Sequence, residues 1–168
     1  MRRRPFLRQP EQLEARILLS DSPVLLVIDS ESGSSPGSAK ATTLGVFSYA
    51  YEPSTGYELY VTDGTTAGSR LVRDLEPGAG SSFPGSFTEA DGFVFLLAYT
   101  SSRGYELWRT DGTSAGTWIV ADIYAGSNSS YPSSLTFMNG TLLFLAGTSG
   151  TLRSDAVRFF KDLRSTGL

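Results

Sequence analysis

The 168-residue sequence contains no cysteine and no histidine. The first absence excludes disulfides, cysteine-based metal sites and thiol nucleophiles, and the second excludes every histidine-dependent triad or metal site. No apolar run reaches the roughly 20 residues that a membrane-spanning helix needs, so no membrane span is expected. Charge is sparse, at 18% of residues, and it is unevenly placed. Residues 1–20 carry Arg2, Arg3, Arg4, Arg8 and Arg16 against Glu11 and Glu14, a net of +3, whereas residues 41–150 carry four arginines against ten acids, a net of −6. The acidic region lacks the basic footprint that nucleic-acid binding requires, so no nucleic-acid partner is expected. A short arginine cluster at a terminus fits an address signal better than a binding site.

What the chain does have is a repeat. Tyr57–Asp74 reads YELYVTDGTTAGSRLVRD, and Tyr105–Asp122 reads YELWRTDGTSAGTWIVAD. The offset between these copies persists beyond them: Ser81, Ser82 and Pro84 recur as Ser129, Ser130 and Pro132, Gly92 as Gly140, and Leu97-Ala98 as Leu145-Ala146. A period of roughly 48 residues indicates a repeat architecture. Hydrophobic content of 40% can fill a core, and 18 Gly with 8 Pro in turn-like clusters favours many short strands over long helices.

Each unit reads as four strands. Ser86–Ala90 and Ser134–Met138 lead into Asp91-Gly92 and Asn139-Gly140, dipeptides suited to the type I′ turn because both central residues need positive φ. The apolar runs Phe93–Tyr99 and Thr141–Gly147 follow, matched earlier by Val46–Tyr51, and fit strands covered on both faces. The third strands, Tyr57–Thr62 and Tyr105–Thr110, alternate with period two; Ser69–Leu75 and Thr117–Ile123 are the fourth. Between third and fourth, Asp63, Gly64, Thr65 and Gly68 recur as Asp111, Gly112, Thr113 and Gly116. There an Asp can accept turn amides, Gly supplies the unusual φ and Thr adds a side-chain bond. Four strands in about 48 residues is the arithmetic of a β-propeller blade, so the expected fold is all-β, with two to three blades of an incomplete propeller.

These residues also resemble the ELW-x-x-DGT-x-x-GT repeats of bacterial secreted and surface proteins, which are associated with β-propeller-like folds. Glu106-Leu107-Trp108, Asp111-Gly112-Thr113 and Gly116-Thr117 carry the full pattern; the first copy has Tyr60 for Trp and Ser69 for Thr. Leu13–Ser20, LEARILLS, is similar to the N-terminal LEPR-XLL segment of large exported bacterial repeat proteins, with Ala15 where that pattern has Pro. The resemblance implies an exported or cell-surface protein with a structural or binding role and no established reaction.

The expected organisation is a basic export-like segment over residues 1–22, a strand (Pro23–Asp29) with a Ser/Gly linker over 23–40, repeat blades over 41–150, and a degenerate or truncated further repeat over 151–168. In that tail Arg153-Ser154-Asp155 echoes Arg109-Thr110-Asp111, but the Gly-Thr loop is missing. An open array of this kind leaves sheet edges that can self-associate.

Three groups of candidate site residues follow. Asp63, Asp111, Asp74 and Asp122 suit calcium by chemistry, and as recurring turn residues they equally suit capping. Glu58 and Glu106 could form a carboxylate pair, but recurrence in equivalent positions favours structure, and no catalytic residue is assigned. Tyr60 and Trp108, with Tyr57 and Tyr105, could stack on a sugar or pack between blades. No cofactor is expected. The favoured function is a non-enzymatic, exported or surface scaffold or interaction module with a protein or glycan partner. The alternative is a carbohydrate- or calcium-binding propeller segment, and a propeller-fold hydrolase is disfavoured.

Overall fold

The computed structural model describes residues 39–65, 67–148 and 157–160, the last four by backbone alone. The export-like segment, the Pro23–Asp29 strand, nearly all of the linker and most of the tail lie outside the described residues. Among the described residues the fold is all-β, with three antiparallel sheets and no helix. The first blade contains β1 (Lys40–Thr42), β2 (Gly45–Glu52), β3 (Gly56–Thr62) and β4 (Arg70–Arg73) in that spatial order. The second contains β5 (Gly85–Ala90), β6 (Phe93–Thr100), β7 (Gly104–Thr110) and β8 (Trp118–Ala121), and the third contains β9 (Ser133–Met138), β10 (Thr141–Leu145) and β11 (Val157–Phe160). The four-strand meander of the first two units is compatible with the expected propeller-like blade, and the third unit has three strands among the described residues.

The turns follow the sequence chemistry. Asp91 and Gly92 have φ of 50° and 81°, and Asn139 and Gly140 have 52° and 74°, as a type I′ hairpin requires. The first blade closes its equivalent hairpin without such a pair: Thr42 is paired with Gly45 across Thr43-Leu44. Strand β1 was not expected, because Lys40-Ala41-Thr42 lacks the apolar pattern of β5. It stands one repeat period before Thr88–Ala90, the end of β5, and occupies the same place in its sheet.

The core lies between blades. On β6, Val94, Leu96 and Ala98 join Phe47, Leu59, Val61, Val72, Leu75, Phe87 and Trp108 in one cluster, which packs the second blade on the first. Phe95, from the opposite face of β6, joins Leu107, Leu142, Phe144 and Ala146 in a second cluster that packs it on the third. Alternation on a strand covered on both faces therefore builds both clusters. Each of the larger side chains contributes about 1.5–3 kcal/mol by burial.

Two features depart from expectation. β4 and β8 are four residues long rather than seven, because the amides that follow them are turned onto a buried carboxylate instead of a neighbouring strand. In the third blade, Leu143 pairs with Phe159 where Phe95 pairs with Arg109 in the second. Leu143 is the strict periodic equivalent of Phe95, whereas the periodic equivalent of Arg109 is Val157. The connection into β11 is therefore longer than its counterpart, and the place expected for Arg153 belongs to Phe159.

Candidate interaction surface

Glu58 and Glu106 are fully buried, each at 0% exposure, at the same place in successive blades. Leu75 N–H (2.9 Å), Glu76 N–H (3.4 Å), Ser82 N–H (2.9 Å) and the Ser82 hydroxyl (2.6 Å) all donate to the Glu58 carboxylate. Glu106 receives the same four from Ile123 (3.0 Å), Tyr124 (3.3 Å) and Ser130 (3.0 and 2.6 Å). The serine carries the link onward. Ser82 C=O accepts Tyr99 N–H of the second blade, and Ser130 C=O accepts Gly147 N–H beyond β10, both at 2.8 Å. Burial raises the pKa of both glutamates above the usual 4.5, opposed by the hydroxyl and amide donors. Chemically, each carboxylate is a filled acceptor that fastens a blade to the connection leading into the next.

The Asp-Gly-Thr turns are equally self-contained. Asp63 Oδ1 accepts the Thr65 amide (2.8 Å) and hydroxyl (2.7 Å), and Asp111 does the same with Thr113 at the same distances. The threonine hydroxyl then accepts Gly68 N–H or Gly116 N–H, both at 2.9 Å. The hydroxyl and amide of Thr65 hold the Asp63 pKa below its usual value. A Cβ on Gly68 or Gly116 would lie 2.0 or 2.1 Å from the aspartate, which explains the glycine at that position. Asp74 and Asp122 accept Gly78 N–H (3.1 Å) and Gly126 N–H (3.4 Å), and Asp122 also meets Arg103 at 3.4 Å. Among the described residues no three metal-ligating side chains converge.

Tyr60 and Trp108 are not surface aromatics. They are 8% and 7% exposed, and Trp108 packs with Leu59, Val61 and Leu96 between the first two blades. Burial and the neighbouring Glu52 raise the Tyr60 pKa. Of the two readings that the sequence allowed for this pair, packing between blades is realised for Trp108, while Tyr60 is buried on the face of β3 opposite Leu59 and Val61. Arg109 is buried as well, its guanidinium 4.2 Å from the ring centroids of both Phe93 and Trp118. Burial lowers its pKa, partly opposed by Asp111.

The exposed aromatics lie elsewhere. Phe83 and Tyr131 are 47% and 49% exposed, with φ of 45° and 47°. Phe83 stacks on Tyr57 (centroids 5.5 Å apart, planes at 27°), and Tyr131 stacks on Tyr105 (5.4 Å, 28°). Tyr49 and Tyr51 brace Tyr57, while Tyr99 braces Tyr105. A clue to this pair was present in the sequence: the recurring Ser-Ser and Pro bracket an aromatic, Phe83 in one copy and Tyr131 in the other. A separate cleft of about 300 Å³ is lined by Ala39, Lys40, Ser86, Phe87, Thr88 and Leu135.

No family model matches this chain, and neither a curated protein nor a solved structure matches it.

Proposed function

We propose that this chain is a non-enzymatic β-repeat module, exported or displayed on a bacterial surface, that acts as a scaffold or interaction surface. The observation that carries this reading is the saturation of its recurring polar groups. Glu58, Glu106, Asp63 and Asp111 each accept bonds from the chain's own amides and hydroxyls in two equivalent copies. A group needed for chemistry is required once, whereas a group needed for folding is required in every blade. The export assignment rests on the resemblance of the repeats and of Leu13–Ser20 to segments of surface proteins.

The exposed aromatic stacks favour a glycan partner over calcium as the second reading. Asp63 and Asp111 are engaged in their own turns, Asp74 and Asp122 accept a turn amide through Oδ2, and among the described residues no three metal-ligating side chains converge. Self-association through sheet edges is the weaker route, because β4 is a short edge strand whose Arg70 and Arg73 donate to the backbone of Gly112 and Thr117 in the next blade. Among the described residues no helix is long and apolar enough to cross a membrane.

Fractionation of bacteria expressing the full chain with a C-terminal epitope tests this reading. Recovery at the surface or in the medium is expected, and retention in the cytoplasm would overturn it. A hydrolytic activity lost in Glu58→Gln and Glu106→Gln variants that remain folded would overturn the non-enzymatic part.

A further inference from the structure

We propose that the paired stacks Tyr57–Phe83 and Tyr105–Tyr131 form a two-platform binding surface for a neutral oligosaccharide. The proposal rests on the interaction-module reading and names its site and ligand class.

The starting observation is a backbone conformation. Phe83 and Tyr131 occupy the left-handed region, which is unusual for a bulky side chain, and each precedes a proline, which restricts its backbone further. Conformations of this kind are strained, and they persist only where the surroundings enforce them. The surrounding bonds do not call for an aromatic. Ser82 and Phe83 N–H both donate to Tyr57 C=O (3.0 and 3.3 Å), and Ser130 and Tyr131 N–H both donate to Tyr105 C=O (3.0 and 3.3 Å). Glycine or asparagine would hold that backbone at lower cost. Nor does burial recover the strain, since both rings remain about half exposed. A costly conformation thus presents a large ring to water in two copies, where an interior role would hide it.

The geometry suits stacking. Each outer ring stacks on the tyrosine beneath it at an interplanar angle of 27° or 28°, while about half of each outer residue stays exposed to water. The base is firm: Tyr57 N–H donates to Ser81 Oγ (3.0 Å), Tyr105 N–H donates to Ser129 Oγ (2.9 Å), and Pro84 and Pro132 are buried. A rigid, preformed platform reduces the ordering cost of binding.

The chemistry selects the ligand. A pyranose ring offers one face of C–H groups to an aromatic plane, with hydroxyls at its rim for neighbouring tyrosine and serine hydroxyls. The repeat region has a net of −6, and Arg103, beside the β6–β7 turn, is paired with Asp122. Anionic polymers are therefore disfavoured. Two equivalent platforms one repeat apart suit a chain of sugars, since the second contact becomes intramolecular once the first has formed.

The test is isothermal titration of the full chain with neutral hexasaccharides of the β-1,4-glucose, xylose, mannose and N-acetylglucosamine series, with an oligogalacturonate as the anionic comparison. Binding to at least one neutral member is expected. It should fall at least about tenfold in each of Phe83→Gly and Tyr131→Gly, as for removal of an aromatic anchor. Because glycine relieves the left-handed strain, these variants should melt at or above the parent temperature, an outcome that a purely structural ring would not give. Met138→Ala, which removes an exposed apolar side chain outside the stacks, should bind like the parent. Binding to no neutral member, preference for the anionic ligand, or neutral binding unaffected by both glycine variants would each overturn the proposal. A chain that is found at the cell surface yet binds no sugar would refute this site and leave the interaction-module reading standing.

Discussion

Replacing Glu106 separates a filled structural acceptor from a spare carboxylate. Alanine at this position would leave the part-buried amides of Ile123 and Tyr124 without an acceptor and would cut the Ser130 amide and hydroxyl back to their contacts with Tyr105 C=O (3.0 and 3.5 Å). Each unsatisfied buried donor costs about 1–3 kcal/mol, with the longer Tyr124 bond at the low end. Release of the buried negative charge offsets part of that sum, which leaves a net loss of about 2–4 kcal/mol. Glutamine keeps the shape. Its best orientation places the NH₂ at the Oε2 position, where the Ser130 hydroxyl can rotate to accept and only the Ile123 amide is opposed. The expected loss is then about 1–2 kcal/mol. Urea unfolding followed by tryptophan fluorescence measures both. With an m-value of about 2 kcal/mol/M, the midpoint should fall by roughly 1–2 M for alanine and about 0.5–1 M for glutamine. Glu58→Ala should match Glu106→Ala, since the same four donors are involved. An alanine variant that stays within about 0.5 kcal/mol of the parent, as an ordinary surface substitution does, would refute the reasoning. So would a glutamine variant less stable than the alanine one.

Three further outcomes follow from the same geometry. Burial raises the folded-state pKa of Glu58 and Glu106 above 4.5, so the folded chain binds their protons more tightly than the unfolded chain does. Their contribution to stability is thus fully present below about pH 4.5 and is lost as pH rises through the raised values; Asp63, with a lowered pKa, acts in the opposite sense below 3.8. A Glu58→Gln/Glu106→Gln double variant should flatten the decline above pH 4.5 in a series of urea unfolding curves, and an unchanged slope would contradict this. Gly116→Ala would place a Cβ 2.1 Å from the Asp111 carboxylate and displace its turn bonds, so a loss of about 1–3 kcal/mol is expected by the same urea assay. Arg109 stands where the first blade has Val61, and it is buried between two rings without a carboxylate bonded to it; Arg109→Met should change stability by less than about 1.5 kcal/mol, read from the thermal midpoint.

Much of the fold was legible because local chemistry and the repeat period agreed. Asp91-Gly92 and Asn139-Gly140 specify their own turn, and the Asp63 and Asp111 caps act on their immediate neighbours. What escaped depended on distant partners. Nothing near Glu58 in sequence announces that amides 17 and 24 residues away will converge on it. The same bonds shorten β4 and β8. β1 was hidden because its position, rather than its polar sequence, makes it a strand. Tyr60 and Trp108 looked available for a ligand because a strand pattern does not say which blade covers which face. Phe83 and Tyr131 were passed over because their backbone conformation, which singles them out, is invisible in the sequence.

The central claim is that the recurring polar residues hold the blades together rather than perform chemistry. Native-state hydrogen exchange reads this at four amides, those of Leu75, Ser82, Ile123 and Ser130, each within about 3.0 Å of a glutamate oxygen. All four lie in connections outside the strands, where exchange would ordinarily be fast. The expected result is protection close to that of the core amides of β6, lost selectively at Leu75 in Glu58→Ala and at Ile123 in Glu106→Ala, while Ser82 and Ser130 N–H keep their bonds to Tyr57 and Tyr105 C=O. Exchange at the rate of an open loop in the parent chain would contradict it.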